Sequence, residues 1–178
     1  MTPQEVRNKR LANDYKEMVN IRGDVIQWRA VRGEAPYVEE YDIIIKVKSI
    51  VNATPNYRGE HTVRLTLPAN YPVAAPNIQM ISSPYVFHPN WYLNGKWCYG
   101  SWIISEGLGH HIIRMIKTLQ YDIDITNEHS PANREAKDWY VSNRNRGLFP
   151  CDKTNLPDPT KKKMIFNAQT KKRFDINS

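Results

Sequence analysis

The chain has 178 residues, 40% hydrophobic and 24% charged, with a formal net charge of +7. Those proportions suit one compact soluble domain, and no apolar run is long enough to suggest a membrane span. Two cysteines, Cys98 and Cys151, are too few for a disulfide framework or a cysteine-based zinc site. They point to a reducing cytoplasm in which a reactive thiol survives.

The basic charge raises nucleic-acid binding as a reading, so its distribution decides more than its sum. From Asp152 onward seven Lys and Arg face three Asp, which leaves the body only mildly basic and makes nucleic acid an unexpected partner. The polar start, Met1-Thr2-Pro3-Gln4-Glu5, does not read as a signal peptide.

In chain order, Thr2-Pro3-Gln4-Glu5 is a capping box with proline at the first helical position, and Leu11, Tyr15 and Met18 follow at helical spacing. This predicts a first helix ending near Asn20, with Arg7, Lys9, Arg10 and Lys16 on its outer face. Strands are predicted over residues 25–31, 41–51, 62–67 and 78–81 from their alternating apolar positions. Pro68, Pro72 and Pro76 stiffen the irregular crossing before the fourth strand, with Tyr71 packed against it. Ile112, Met115, Ile116 and Leu119 share one face of a central helix over 108–121. Residues 122–129 form a polar connection, and Pro131, Ala136, Trp139 and Tyr140 predict a last helix reaching about residue 143. Residues 144–178 read as an irregular extension and basic tail, with a short strand at 164–166. The fold expected is α+β: a four-stranded antiparallel meander with an N-terminal, a central and a C-terminal helix.

The chemistry concentrates between residues 85 and 102. His88-Pro89-Asn90 precedes Cys98, and Asn94-Gly95 between them supplies the left-handed backbone of a tight turn, which brings Asn90 close to Cys98. A thiol that attacks a carbonyl needs a donor for the oxygen that becomes negative, and an asparagine amide provides one without changing charge.

These residues resemble the ubiquitin-conjugating enzyme family. Tyr57-Arg58-Gly59 looks like the start of its Tyr-x-Gly-Gly-x-Phe, and Leu67-Pro68, Tyr71-Pro72 and Pro76 are similar to its proline-rich segment. His88-Pro89-Asn90 matches its signature tripeptide, with Cys98 at the family spacing of eight, and Ser130-Pro131-Ala132-Asn133 matches the segment before the last helix. The resemblance covers about residues 1–143, so it implies a catalytic domain there and an extension over 144–178.

It implies that Cys98 carries a ubiquitin-like protein as a thioester, received from an ATP-dependent activating enzyme, and passes it to an amine. Asn90 would stabilise the oxyanion or order its loop, and Ser130 would position or deprotonate the amine; a helix cap before Pro131 explains that serine equally well. His88, Pro89, Tyr71 and Pro72 would be structural residues of the site. Arg7, Lys9 and Arg10 on the first helix, with Val73 and Leu108, would meet the activating enzyme, a ligase or a target. No metal or other cofactor is implied in this protein itself, and the adjacent His110 and His111 point apart.

Glu60, Thr62, Ala75 and Glu106-Gly107-Leu108-Gly109 depart from the family pattern. The divergence suits a bacterial or antiviral conjugation system as well as an unusual eukaryotic branch. It also leads us to expect a flexible, partly acidic Glu106-Gly107-Leu108-Gly109 loop without the rigid aromatic anchor for RING-type ligases, and so an enzyme that works without a conventional RING ligase or with a dedicated partner. Two rival classes remain: a cysteine hydrolase pairing Cys98 with His129 or His110, and a non-catalytic binding module of the same fold with a nucleic-acid-binding tail.

Overall fold

A computed structural model describes residues 1–162. Helix α1 (Pro3–Ile21) is followed by strands β1 (Ile26–Arg32), β2 (Glu40–Ile45), β3 (Ser49–Asn52), β4 (Asn56–Arg58), β5 (His61–Thr66) and β6 (Asn77–Met80). Helices α2 (Leu108–Leu119) and α3 (Arg134–Asn143) complete the described elements. The expected strand at 164–166 lies outside the described residues.

Strands β1, β2, β5 and β6 form the expected antiparallel meander in that order. Alternation works as anticipated in β5, where His61, Val63 and Leu65 are buried and Arg64 is exposed. Leu11, Met18 and Ile21 of α1, Ile112, Met115, Ile116 and Leu119 of α2, and the inward residues of the sheet form one buried cluster. Its burial is the main stabilising term.

The predicted strand over 41–51 is two strands in two sheets. β2 ends at Ile45, and β3 pairs with β4 in a separate two-stranded hairpin. The break has a hydrogen-bond cause. The Val47 carbonyl is bonded to Nε2 of buried His61 at 3.0 Å, and the Lys48 N–H donates to Asp152 at 2.8 Å. Groups that would have extended the ladder are already used.

α1 begins with the predicted capping box: Thr2 Oγ1 accepts from Glu5 N at 3.2 Å and Glu5 Oε2 accepts from Thr2 N at 2.6 Å. The start of α2 is held differently, because Gly107 offers no side chain to cap it. Asp14 reaches across from α1 and accepts from Leu108 N at 3.0 Å, while Glu17 accepts from His110 N at 3.3 Å. A carboxylate at a helix N-terminus satisfies orphan donors and complements the dipole.

Asp14 also accepts from Tyr71 Oη at 2.5 Å and Arg10 Nε at 2.9 Å. Burial, the largest influence, raises both the Asp14 carboxyl and the Tyr71 phenol, so the proton stays on the phenol that donates. Tyr71 is therefore a buried strut between α1 and the proline loop rather than simple packing. The peptide bond from Tyr71 to Pro72 is cis.

Glu106-Gly107-Leu108-Gly109 is not a flexible loop. A Cβ on Gly107 would stand 2.1 Å from Glu17 Oε2, and one on Gly109 would stand 2.8 Å from the Cβ atoms of Glu17 and Pro159. The glycines permit close approach of α1 and of the chain at Pro159. Leu108, expected as a partner contact, is 0% exposed and belongs to the core.

α3 starts three residues later than the Ser130 cap would have it. Asn133 is its N-cap and accepts from Ala136 N at 3.0 Å, which leaves Ser130 outside the helix and exposed. Beyond α3, residues 144–162 are irregular as expected, yet they dock on the body. Phe149 packs against Tyr121 and Tyr140, Asp152 accepts from Gln120 Nε2 at 3.0 Å, and Pro159 O accepts from Asn20 Nδ2 at 2.8 Å.

Candidate active site

The nucleophile's neighbourhood is a short hairpin. Trp91 and Trp97 form an antiparallel bridge, Tyr92 N donates to Lys96 O at 2.8 Å, and Cys98 N donates to Asn90 O at 2.9 Å. Gly95 closes the turn at φ 85°, a left-handed position that favours glycine. Asn90 and Cys98 are thereby cross-strand neighbours, as the Asn94-Gly95 turn predicted. The Met80 N–H donates to Gly95 O at 2.8 Å, so the hairpin hangs from the edge of the main sheet.

Behind it, His88-Pro89-Asn90 is a fixed corner. His88 is fully buried; its Nδ1 accepts from Asn90 N at 2.9 Å, and burial pushes the imidazole down to about 3. The ring is neutral at pH 7 and its acceptor nitrogen is occupied, so it is not poised as a base. The Pro89 carbonyl accepts from Ala132 N at 2.8 Å and Asn133 N at 3.2 Å, which ties the corner to the start of α3. Trp91 Nε1 donates to Thr118 of α2 at 2.8 Å.

The Asn90 amide is bonded twice to one residue. Its Nδ2 donates to Asn127 O at 2.8 Å, and its Oδ1 accepts from Asn127 N at 2.9 Å. One N–H of the amide remains for another acceptor. Beside it a cavity of about 200 Å³ is bordered by Asn90, Cys98, Tyr99, Arg114 and Ser130. Cys98 is half-buried and reduced, and Ser130 stands exposed at the rim.

The two thiols differ in surroundings. Cys151 lies with Sγ 3.3 Å from Lys48 O and 3.5 Å from Leu119 O, and burial pushes its thiol up to about 12. That thiol stays protonated and unreactive. Tyr92 was not singled out from the sequence. It shares the hairpin face with Asn90 and Cys98, and its phenol is raised above the ordinary value first by hydrogen bonding to Cys98 and then by that group's charge. Hairpin register and period-two alternation carried the signal that could have found it.

Residues 10–148 match the family model described as ubiquitin-conjugating enzyme. The chain belongs to the ubiquitin-conjugating enzyme family. Relatives of the chain include ubiquitin-conjugating enzyme E2 2 of Mycosarcoma maydis, 30% identical over 90 residues, 51% of this chain and 48% of that protein. The protein of the same name from Trichoderma harzianum is 30% identical over 91 residues, 51% of this chain and 59% of its own. The chain thus matches only about half the length of these relatives. The solved human ubiquitin-conjugating enzyme E2 G1 is 19% identical with a TM-score of 0.49, over 67% of this chain and 97% of that one.

The expected site residues do not all converge. Cys98, Asn90 and Ser130 meet at one cavity, with His88 and Pro89 behind them. Tyr71 and Pro72 lie elsewhere, in the loop bonded to α1 and to Trp102, whose Nε1 donates to Pro72 O at 2.8 Å. Arg7 is committed to Glu39 at 2.9 Å and to the carbonyls of Pro68 and Tyr71, and Arg10 to Asp14 and the carbonyls of Ile104 and Glu106. Both are clamps within the chain; among the three, Lys9 is the exposed one. Val73 is 71% exposed, and Ile103 and Ile104, which follow Trp102 on the segment bonded to Pro72, are exposed as well. These exposed side chains are aliphatic, and none is an aromatic anchor.

Proposed function

We propose that this conjugating enzyme carries a ubiquitin-like protein as a thioester on Cys98 and transfers it to an amine. The observation that carries the reading is the shared cavity of Cys98, Asn90 and Ser130 on a braced hairpin. In loading, the Cys98 thiolate attacks the C-terminal carbonyl held as a thioester by an ATP-dependent activating enzyme. The new S–C bond forms as the activating enzyme's thiolate leaves. In discharge, an amine attacks the same carbonyl, the bond to Cys98 breaks, and the amine loses its proton.

In this reading the remaining N–H of Asn90 meets the oxyanion in both steps, and Ser130 at the rim orients the amine. The ligase surface is Val73 with Ile103 and Ile104, and Lys9 is the remaining basic contact of α1 for the activating enzyme.

The hydrolase reading lacks its base. His110 pairs with Glu17 at 3.0 Å, and His129 borders the neighbouring cleft with Glu128 and Arg144, which shares Ile125 and Asn127 with the Cys98 cavity. Among the described residues, no histidine borders the Cys98 cavity.

The test is charging with a panel of ubiquitin-like proteins and their activating enzymes. The parent and Cys151→Ser should form a thiol-sensitive adduct, Cys98→Ser a thiol-resistant one, and Cys98→Ala none. An adduct that survives Cys98→Ala and depends on Cys151 would overturn the assignment.

A further inference from the structure

One guanidinium grips the residues on both sides of the nucleophile. Arg114, on α2, donates from Nη1 to the carbonyl of Tyr99 at 2.6 Å, and its guanidinium carbon stands 5.0 Å from the ring centroid of Trp97. Trp97 precedes Cys98 and Tyr99 follows it. The same group is held from behind, because Nη2 donates to Glu106 Oε1 at 3.2 Å and that oxygen is also paired with His111 Nδ1 at 2.5 Å.

This grip matters because the chain is anchored unequally around Cys98. On the incoming side, the Cys98 N–H is bonded to Asn90 O. On the outgoing side, Gly100 is exposed at φ 78°, with nothing within 4 Å of where a Cβ would be. The Tyr99 carbonyl is the last point fixed before that glycine. A Lys could reach one carbonyl but not also stack on Trp97 and bond Glu106 with a planar fork.

We infer that Arg114 is the positioning residue of the nucleophile, setting the main chain at Cys98 and so the direction of its Sγ between Asn90 and Ser130. The inference rests on the reading of Cys98 as the thioester carrier. Arg114 acts through Tyr99 and Trp97, and displacing a reacting atom by about 1 Å is enough to lower a rate by about 10².

The test compares Arg114→Met, which keeps bulk and loses every donor, with Arg114→Lys and Glu106→Gln in the full chain. Single-turnover transfer to free lysine should fall about 10- to 100-fold in Arg114→Met, with half-maximal loading at an unchanged concentration of activating enzyme. Arg114→Lys should recover part of the rate. Glu106→Gln, which loosens the support behind Arg114 but leaves its contacts with Trp97 and Tyr99, should lose much less of the rate than Arg114→Met. A loss shared by Arg114→Met and Glu106→Gln in proportion to their thermal stability would reduce Arg114 to a rivet and overturn the inference.

A second measurement needs no ubiquitin-like protein. A trifluoromethyl tag on Cys98 should give one narrow fluorine resonance in the parent and a broadened or split one in Arg114→Met. A single unchanged resonance in both would overturn the positioning role whatever the fate of the thioester reading, whereas failure to load any ubiquitin-like protein would count against that reading alone.

Discussion

Asn90 shows how one side chain serves architecture and chemistry together. Its amide is bonded to both the N–H and the carbonyl of Asn127, so it ties the corner at His88-Pro89-Asn90 to the connection before α3. Removing it loses two hydrogen bonds to Asn127, an exposed residue, at roughly 0.5–1.5 kcal/mol each. Losing an oxyanion donor lowers a rate by about 10² to 10³. Asn90→Ala should therefore show both effects: a drop of about 1–3 kcal/mol in denaturant unfolding, and a discharge rate at least 10²-fold lower when measured where the variant remains folded. A rate loss that vanished once the folded fraction was accounted for would leave Asn90 with the loop-ordering role only.

At the scale of elements, the junction of α1 and α2 decides where the loop beyond Cys98 runs. Asp14 and Glu17 cap α2 from outside, and Arg10 takes the carbonyls of Ile104 and Glu106. Gly109 sits inside this contact. Replacing glycine by alanine within a helix ordinarily stabilises by about 1 kcal/mol. Here the added methyl would meet two Cβ atoms at 2.8 Å, and overpacking typically costs about 1–3 kcal/mol. Packing wins. Gly109→Ala should lower the thermal midpoint, and Gly107→Ala should lower it less, because the Glu17 carboxylate it meets can swing aside. A raised midpoint for Gly109→Ala would mean that this contact has slack.

For the whole molecule, buried histidines should set the acid side of the stability curve. Burial, the largest influence in each case, pushes His61 down to about 4 and His88 to about 3, and it lowers His111 as well. An unfolded chain protonates these rings near 6.5, while the folded chain resists until well below that. Their contribution is thus complete above about pH 6.5 and is lost as pH falls toward 4, at up to about 1.4 kcal/mol per pH unit for each histidine. Asp14, raised by burial, works in the opposite sense, and the lowered carboxyls of Asp42 and Asp152 add to the loss at still lower pH. Urea unfolding at pH 7, 6 and 5 should show the decline, and His61→Gln should flatten it. Equal slopes for both proteins would remove His61 from this account.

What could be read from the sequence was carried by short range. The capping box at Thr2, the face of Ile112, Met115, Ile116 and Leu119, the alternation through Val63 and Leu65, and the turn that sets Asn90 beside Cys98 are each encoded within a few residues. Their physics is local hydrogen bonding and the period of a helix or strand. The apolar pattern over 41–51 could not reveal its break, because the bonds that end β2 come from His61 and Asp152, both distant in sequence. Two glycines near Leu108 are compatible with either a pliable loop or a tight contact, and Glu17 and Pro159 decide for contact. Arg7, Arg10 and Arg114 look alike as surface charges in the sequence. Only the tertiary structure brings carbonyls, carboxylates and rings within their reach, and with them the hold on Trp97 and Tyr99 that surrounds Cys98.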